Sequence, residues 1–559
     1  MSRGRSTWWR VRVLVVGTAG VGLAALAFAC GSDDPVGPLP CEGAGCVEGG
    51  AEASVTDGPS TADTGVDDSA SDSHIDGSSE TGTDGAACVL RAPAGDAGVS
   101  GTVRWAMNFG STGYATASAV SVDPASGDIV VVGEVNGSID FGGGLSTNGG
   151  PVPEAHTAFL VRFDTNGVHR WSKTFSSGTG FSVAGPVAID STGNVIVAGG
   201  FQGTVDFGGG ALSAVSETDI FIASFDSAGA HRWSKRLGVA GESNAVTSLA
   251  VDKASNVIVG GLAYGALDFG GGPLGGFYLA KLSPQGTHVW SKGFRASSPS
   301  GAPRLAVDPD GNVVIAGSFS GTADFGGGGL TSAGGVNAFV AKYGATGDYR
   351  WSRRYGTSGG AVSATSVATD PCGALFVTGS FFGTVDFAPG LLSAADSSRS
   401  YGFLAKLDPT GSGVWAKKFE AASTTNSSLL YNPGSVAVDE TGRPTVTGFL
   451  GGGVGYQTKI NFGGGDLASI DKGSLVVASF DPFGTYRWAF SGGPPSTGKS
   501  GAANSTPLAA RNASVLLVGG FGKCAGTCAV SPPGTTLALP GKTMTATSAL
   551  DLFIANVAP

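Results

Sequence analysis

The chain has 559 residues, 41% of them hydrophobic, with 96 glycines and a formal net charge of −10. That many glycines argue against long helices, and the length is too great for one ordinary hydrophobic core. No basic stripe of the kind that grips phosphates is visible, so a nucleic-acid partner is not expected. In chain order, Arg3, Arg5, Arg10 and Arg12 precede an uncharged run from Val13 to Ala29, which ends Ala27-Phe28-Ala29-Cys30. A basic start, an apolar stretch too short to cross a bilayer comfortably and small residues at its end predict a signal peptide over 1–29.

The cysteine directly after that segment resembles a bacterial lipoprotein signal. The resemblance implies that Cys30 becomes the acylated first residue, a lipidation that anchors the chain at the outer membrane or cell surface of a Gram-negative bacterium. Ala27-x-Ala29 also fits the general signal peptidase, which would make the protein simply secreted. Residues 31–100 carry 14 acidic side chains against one basic, Arg91. Gly, Ser, Thr, Asp and Pro dominate there, so 30–100 is expected to be a disordered, self-repelling tether. From 101 onward the charges nearly balance, with 28 basic and 29 acidic residues. The acidity therefore belongs to the tether.

From residue 101 the chain repeats. Trp105, Trp171, Trp233, Trp290, Trp351, Trp415 and Trp488 are spaced 66, 62, 57, 61, 64 and 73 residues apart, each in nearly the same phrase. A period of this size means stacked or radially arrayed units. One unit reads as four strands. PVAID (186–190) leads into the turn Asp190-Ser-Thr-Gly193, which joins it to Asn194–Gly199. After a glycine-rich connection comes Phe221–Asp226, and the turn Asp226-Ser-Ala-Gly229 joins that to His231–Leu237 with its tryptophan. Aspartate accepts turn amides and glycine tolerates positive φ, so both Asp-x-x-Gly phrases predict tight hairpins.

The first tryptophan strand, Val103–Phe109, has no third strand before it. The last third strand, Leu552–Val557, has no tryptophan strand after it. Each supplies what the other lacks. The sequence thus predicts an all-β, seven-bladed β-propeller over 101–559, made of four-stranded antiparallel blades and closed by the N-terminal strand joining the last blade. A single copy, a monomer, is expected.

These phrases resemble the β-propeller repeat of bacterial extracellular and cell-surface proteins, with close matches at Ala306–Gly317, Phe403–Lys417 and Val187–Lys235. The resemblance covers 103–559. It weakens in the last unit, where Arg511-Asn512-Ala513 replaces the turn aspartate and a Cys524–Cys528 insertion appears. It implies fold and surface context, and no particular activity.

Repeated residues read first as scaffold. The phenylalanine of DFGGG (Phe141, Phe207, Phe269, Phe325, Phe387, Phe462) suits an aromatic wedge between blades, with a sugar-stacking platform as the alternative. The preceding Asp140, Asp206, Asp268, Asp324 and Asp386, with Asn461, are expected to cap their own turns. A cation-binding carboxylate ring is the sharper alternative. His169, His231 and His288 each lie two residues before a tryptophan, so repetition sets them on separate blades as structural residues. Cys41–Cys46 and Cys524–Cys528 are candidate disulfide loops, while Cys88 and Cys372 show no obvious partner.

No GxSxG, HExxH, phosphate loop or EF-hand loop occurs. No set of symmetry-breaking catalytic residues stands out, so no catalytic, cofactor-binding or metal residue is assigned and no cofactor is expected. The expected role is a surface binding scaffold with a protein or glycan ligand. That ligand would sit on the face bearing the long connections, such as the tails Ser213–Thr218 and Leu330–Gly335. A quinone-dependent or hydrolytic propeller enzyme, or an outer-membrane assembly factor, are the alternatives.

Overall fold

A computed structural model describes residues 101–558 apart from short stretches at 148–155, 179, 300, 302, 388–389, 397–398, 424–430, 452–457, 470–472, 494–507, 512–513, 523–535 and 548–549, together with a two-residue strand pair, Glu80–Thr81 and Ala87–Cys88. The described residues hold no α-helix. They form antiparallel sheets in which consecutive strands pair in chain order, as in Ser182–Ile189, Val195–Phe201, Asp219–Phe225 and His231–Leu237. The last pair of that set carries a bulge beside the tryptophan, between Ser224 and Phe225.

The hairpins form for the reason the sequence suggests. Asp190 Oδ1 accepts the amides of Thr192 at 2.9 Å and Asn194 at 3.0 Å, and Gly193 takes φ +82°. The first strand starts earlier than expected, at Ser182. Beyond a bulge between Ala184 and Val187, residues 182–184 still pair with 199–201. A second departure lies in the glycine-rich connection, which is itself a small hairpin, Thr204–Asp206 against Ala211–Ser213. Alternation over only three residues per arm left no period to read.

The sheets pack face to face as propeller blades do. The described core divides into clusters that each draw on two consecutive units. One joins Val195, Val197 and Phe221 to Val130, Val132 and Leu160 of the unit before. Another joins Leu516, Val518, Leu552 and Ile554 of the last unit to Ala115, Ile129, Val131 and Phe159 of the first. The first strands lie beside one another in chain order, and Leu508–Arg511 touches both Tyr431–Val438 and Tyr114–Val122. Val103–Phe109 pairs antiparallel with Leu550–Val557, Val103 opposite Val557 and Phe109 opposite Leu552.

The repeated tryptophans clasp neighbouring units. Nε1 of Trp171 donates to Ser227 O at 3.0 Å, and Nε1 of Trp233 to Pro284 O at 2.9 Å. Trp105, Trp290, Trp351 and Trp415 do the same to Thr165, Ala345, Pro409 and Pro482. Each acceptor lies in the next unit's turn between its third and fourth strands. The indole rests on that turn's glycine: a Cβ on Gly229 would come within 2.9 Å of Trp171. These six side chains stay half-buried. Trp488 is buried, and its Nε1 has no partner among the described residues. Its ring lies against Gly101, just before the strand Val103–Phe109.

Buried cations add a second clasp. Lys281 Nζ lies 2.8 Å from Asp252 Oδ2, in its own unit's first turn, and donates to Ala345 O of the next unit at 2.9 Å. Lys342 pairs likewise with Asp308 at 2.9 Å and reaches Pro409 O at 3.3 Å. Arg162 takes the same place against Asp123 and Asp128. Burial alone would raise Asp252, but bonds from Lys281 and Asn256 outweigh it and hold the carboxyl below its usual range.

Candidate functional site

Each residue expected to be scaffold has a local partner. Asp206 Oδ1 accepts the amides of Gly208 at 2.7 Å and Gly210 at 3.1 Å. Asp140, Asp268, Asp324 and Asn461 repeat the pattern, each within its own turn. Among the described residues no group of three or more His, Cys, Asp or Glu is placed to hold a metal. Phe207 lies 4.9 Å from Phe175 of the preceding unit and 4.5 Å from Phe221, so it is a wedge between blades. His169, His231 and His288 sit apart, each against the middle glycine of its own DFGGG turn and 3.1 Å from a serine hydroxyl.

The connection tails are held in place. The Val215 amide donates to Asp219 Oδ2 at 2.9 Å, Ser216 donates to the same carboxylate, and Arg236 reaches it at 2.8 Å. Asn337 does this for the 330–335 tail through the Ala333 amide at 2.8 Å and Arg354 at 2.9 Å. Of the cysteines, Cys30, Cys41, Cys46, Cys524 and Cys528 lie outside the described residues. Cys372, for which the sequence offers no partner, is disulfide-bonded, at the tip of the Asp370–Gly373 turn.

One cluster breaks the repeat. Tyr114 opens a first strand, Glu134 stands near the end of the second, and His156 immediately precedes the third. All three are therefore at the end of the blade that carries the long connections. His156 Nδ1 is 3.0 Å from Glu134 Oε2, and the Tyr114 hydroxyl is 2.5 Å from Nδ1 and 3.1 Å from Nε2. The His156 carbonyl accepts the amide of Ser182 at 2.9 Å, so the cluster abuts the second unit. The His156 side chain is 38% exposed and Glu134 17%, which leaves the imidazole reachable by a ligand.

The electrostatics follow from Glu134. Its hydrogen bond raises the His156 pKa above the ordinary value, against the opposing effect of burial. Burial first, and the Glu134 charge second, push the Tyr114 hydroxyl well above its usual range, so it stays protonated. With Nδ1–H given to Glu134, the neutral imidazole keeps Nε2 as acceptor for Tyr114. Protonation turns Nε2 into a donor. A hydroxyl, an imidazole and a carboxylate so arranged can hold a ligand's polar groups or move a proton.

Sequence reasoning missed this set although a signal existed. By strand register, the position of Glu134 is filled by Gly200, Leu262, Ser318, Ser380, Phe449 and Gly520 in the other units. Only the first unit places an ionisable group there.

No family model matches this chain, and no curated protein matches it. Solved structures do. The Dos1 propeller is 9% identical with a TM-score of 0.36, over 80% of this chain and 93% of that one. A protein of unknown function from Dyadobacter fermentans is 8% identical with a TM-score of 0.37, over 82% and 98%. A polysaccharide lyase of family PL25, an ulvan lyase, is 10% identical with a TM-score of 0.36, over 74% and 93%. The propeller rests on the strand pairing and packing of the chain itself.

Proposed function

We propose that this protein is an envelope-anchored binding scaffold. Its seven blades close into a ring through Val103–Phe109, and its ligand, a protein or a glycan, docks on the long-connection face. Seven core clusters among the described residues, each shared by consecutive units with the last linked to the first, support the ring. The anchor is the diacylglyceryl group expected on Cys30, with residues 31–100 as spacer, and the outer membrane or cell surface is the matching location. No helix among the described residues is long and apolar enough to cross a membrane.

The observation that carries the binding reading is the Tyr114–Glu134–His156 cluster. It is polar, open at His156, and absent from the repeat pattern, so packing does not require it. Screening the purified chain on glycan and protein arrays tests this. A hit should weaken in Glu134→Gln and His156→Phe, and when the Ser213–Thr218 and Leu330–Gly335 tails become short Gly-Ser loops. Binding that survives all of these, but fails after changes to the tight-turn face, would place the site on the other side. A propeller enzyme is the second reading, favoured by the same cluster because its histidine and tyrosine could exchange a proton with a substrate. Turnover lost in His156→Phe while binding persists would support that reading instead.

A further inference from the structure

The first strands of the units carry almost no charge. Among the described ones only Arg304 and Arg511 carry a charge at neutral pH, and Arg511 has Glu440 at 3.5 Å. Arg304 has no carboxylate among the described residues. Its Nη1 donates to the carbonyl of Thr247 at 2.6 Å, on the first strand of the preceding unit. Its Nε and Nη2 have no protein partner among the described residues. The side chain is half-buried, and burial pushes the guanidinium below the ordinary arginine value.

The scaffold does not need this charge. Counting back from each turn aspartate, the place of Arg304 is taken by Ala119, Pro186, Ser248, Ser366 and Ser435. Where serine stands there, it can serve the next unit's backbone: Ser248 Oγ accepts the Leu305 amide at 2.9 Å, and Ser366 Oγ accepts the Val436 amide at 3.2 Å. Arg304 points the other way, back to the bulged Thr247, whose hydroxyl donates to Pro303 O at 2.9 Å. The strand Arg304–Val307 pairs along one edge only, with Val313–Asp324. In a closed ring the other edge faces the axis. A desolvated guanidinium without a counter-ion is costly, and its free Nε–Nη2 edge matches two oxygens of one oxyanion.

We propose that Arg304 is an anion-binding group at the inner opening of the ring, which takes the carboxylate or sulfate group of a ligand. The proposal rests on the ring reading above, and it is separate from the Tyr114–Glu134–His156 cluster.

The test titrates the full chain with glucuronate, inorganic sulfate and, as neutral control, glucose, by isothermal calorimetry at low ionic strength. Urea unfolding of each variant reports ring integrity independently. Saturable binding of glucuronate or sulfate, weakened at least tenfold in Arg304→Met and unchanged in Arg350→Met, an exposed arginine on a tryptophan strand, supports the site. Which of the two anions binds more tightly distinguishes a carboxylate from a sulfate ligand. Arg304→Gln keeps an amide donor for the Thr247 carbonyl and serves if the methionine variant does not fold; the same tenfold loss is expected. No saturable binding of either anion to folded wild-type protein, or equal binding in the folded charge-removed variant, overturns the proposal. A wild-type chain that unfolds as separate pieces would fault the ring reading and not the anion site.

Discussion

Replacing Lys281 by methionine should destabilise the chain by about 3–5 kcal/mol at pH 7, the range for breaking one partner of a buried ion pair. The structure sets that magnitude. Lys281 and Asp252 are each 6% exposed and 2.8 Å apart, so the discount for surface pairs does not apply. Methionine fills the space, but Asp252 would remain charged, held only by Asn256 and the turn amides. The bond from Lys281 to Ala345 O of the next unit is lost as well. The pH dependence follows from the lowered Asp252 pKa. Stability from a depressed carboxyl is present above the unfolded value of about 3.9 and is lost as pH falls through the folded value. The gap between wild type and Lys281→Met should therefore be full at pH 7 and shrink below about pH 4. Adding Asp252→Asn should return a large part of the loss at pH 7. Urea midpoints at pH 7 and pH 3.5 measure both effects. A loss under about 1 kcal/mol at pH 7, or a gap unmoved by acid, would refute the buried-pair reasoning.

Three further outcomes are expected. Trp233→Phe removes the bond to Pro284 O and should cost about 1 kcal/mol, read as a lower urea midpoint at unchanged slope; no change would mean that the clasp contributes nothing. His156 has a raised pKa, so its pairing with Glu134 stabilises most fully below about pH 6.5 and fades as pH rises through the folded value. The melting temperature of His156→Phe should thus fall short of wild type at pH 6 and approach it in alkaline buffer; an equal shortfall at every pH would contradict the pairing. Cys30→Ser should move the protein from the membrane to the soluble fraction, and a variant that stays membrane-bound would remove the lipid anchor.

Much of the fold was legible because packing repeats. Seven tryptophans on a regular period, Asp-x-x-Gly turns and an orphan strand at each end were enough to name the antiparallel repeats and the pairing of Val103–Phe109 with the last strand. The same repetition correctly marked the DFGGG aspartates and the three histidines as turn and packing residues. What escaped the sequence depends on registers that it does not print. Lys281, Lys342 and Arg162 sit in apolar strand phrases, and only the fold carries them under the first turn of the same blade. The six clasping tryptophans are half-buried on the next unit's turn, where full burial would have been the simpler guess. Glu134 and His156 are 22 residues apart with a connection between them, and meet only because the second and third strands pair. Cys372 could not be matched from spacing, since a disulfide follows distance in space.

Ring closure by the N-terminal strand is the claim on which the scaffold depends, and one pair of truncations tests it. A chain that begins at Ala92 keeps Val103–Phe109 and its pairing with Leu550–Val557. A chain that begins at Gly110 loses that strand and Trp105, whose indole reaches Thr165 O of the first unit at 3.2 Å. The first should melt cooperatively like the full-length protein, and the second should aggregate or lose most of its cooperative transition. Superimposable melting curves for the two chains would contradict closure.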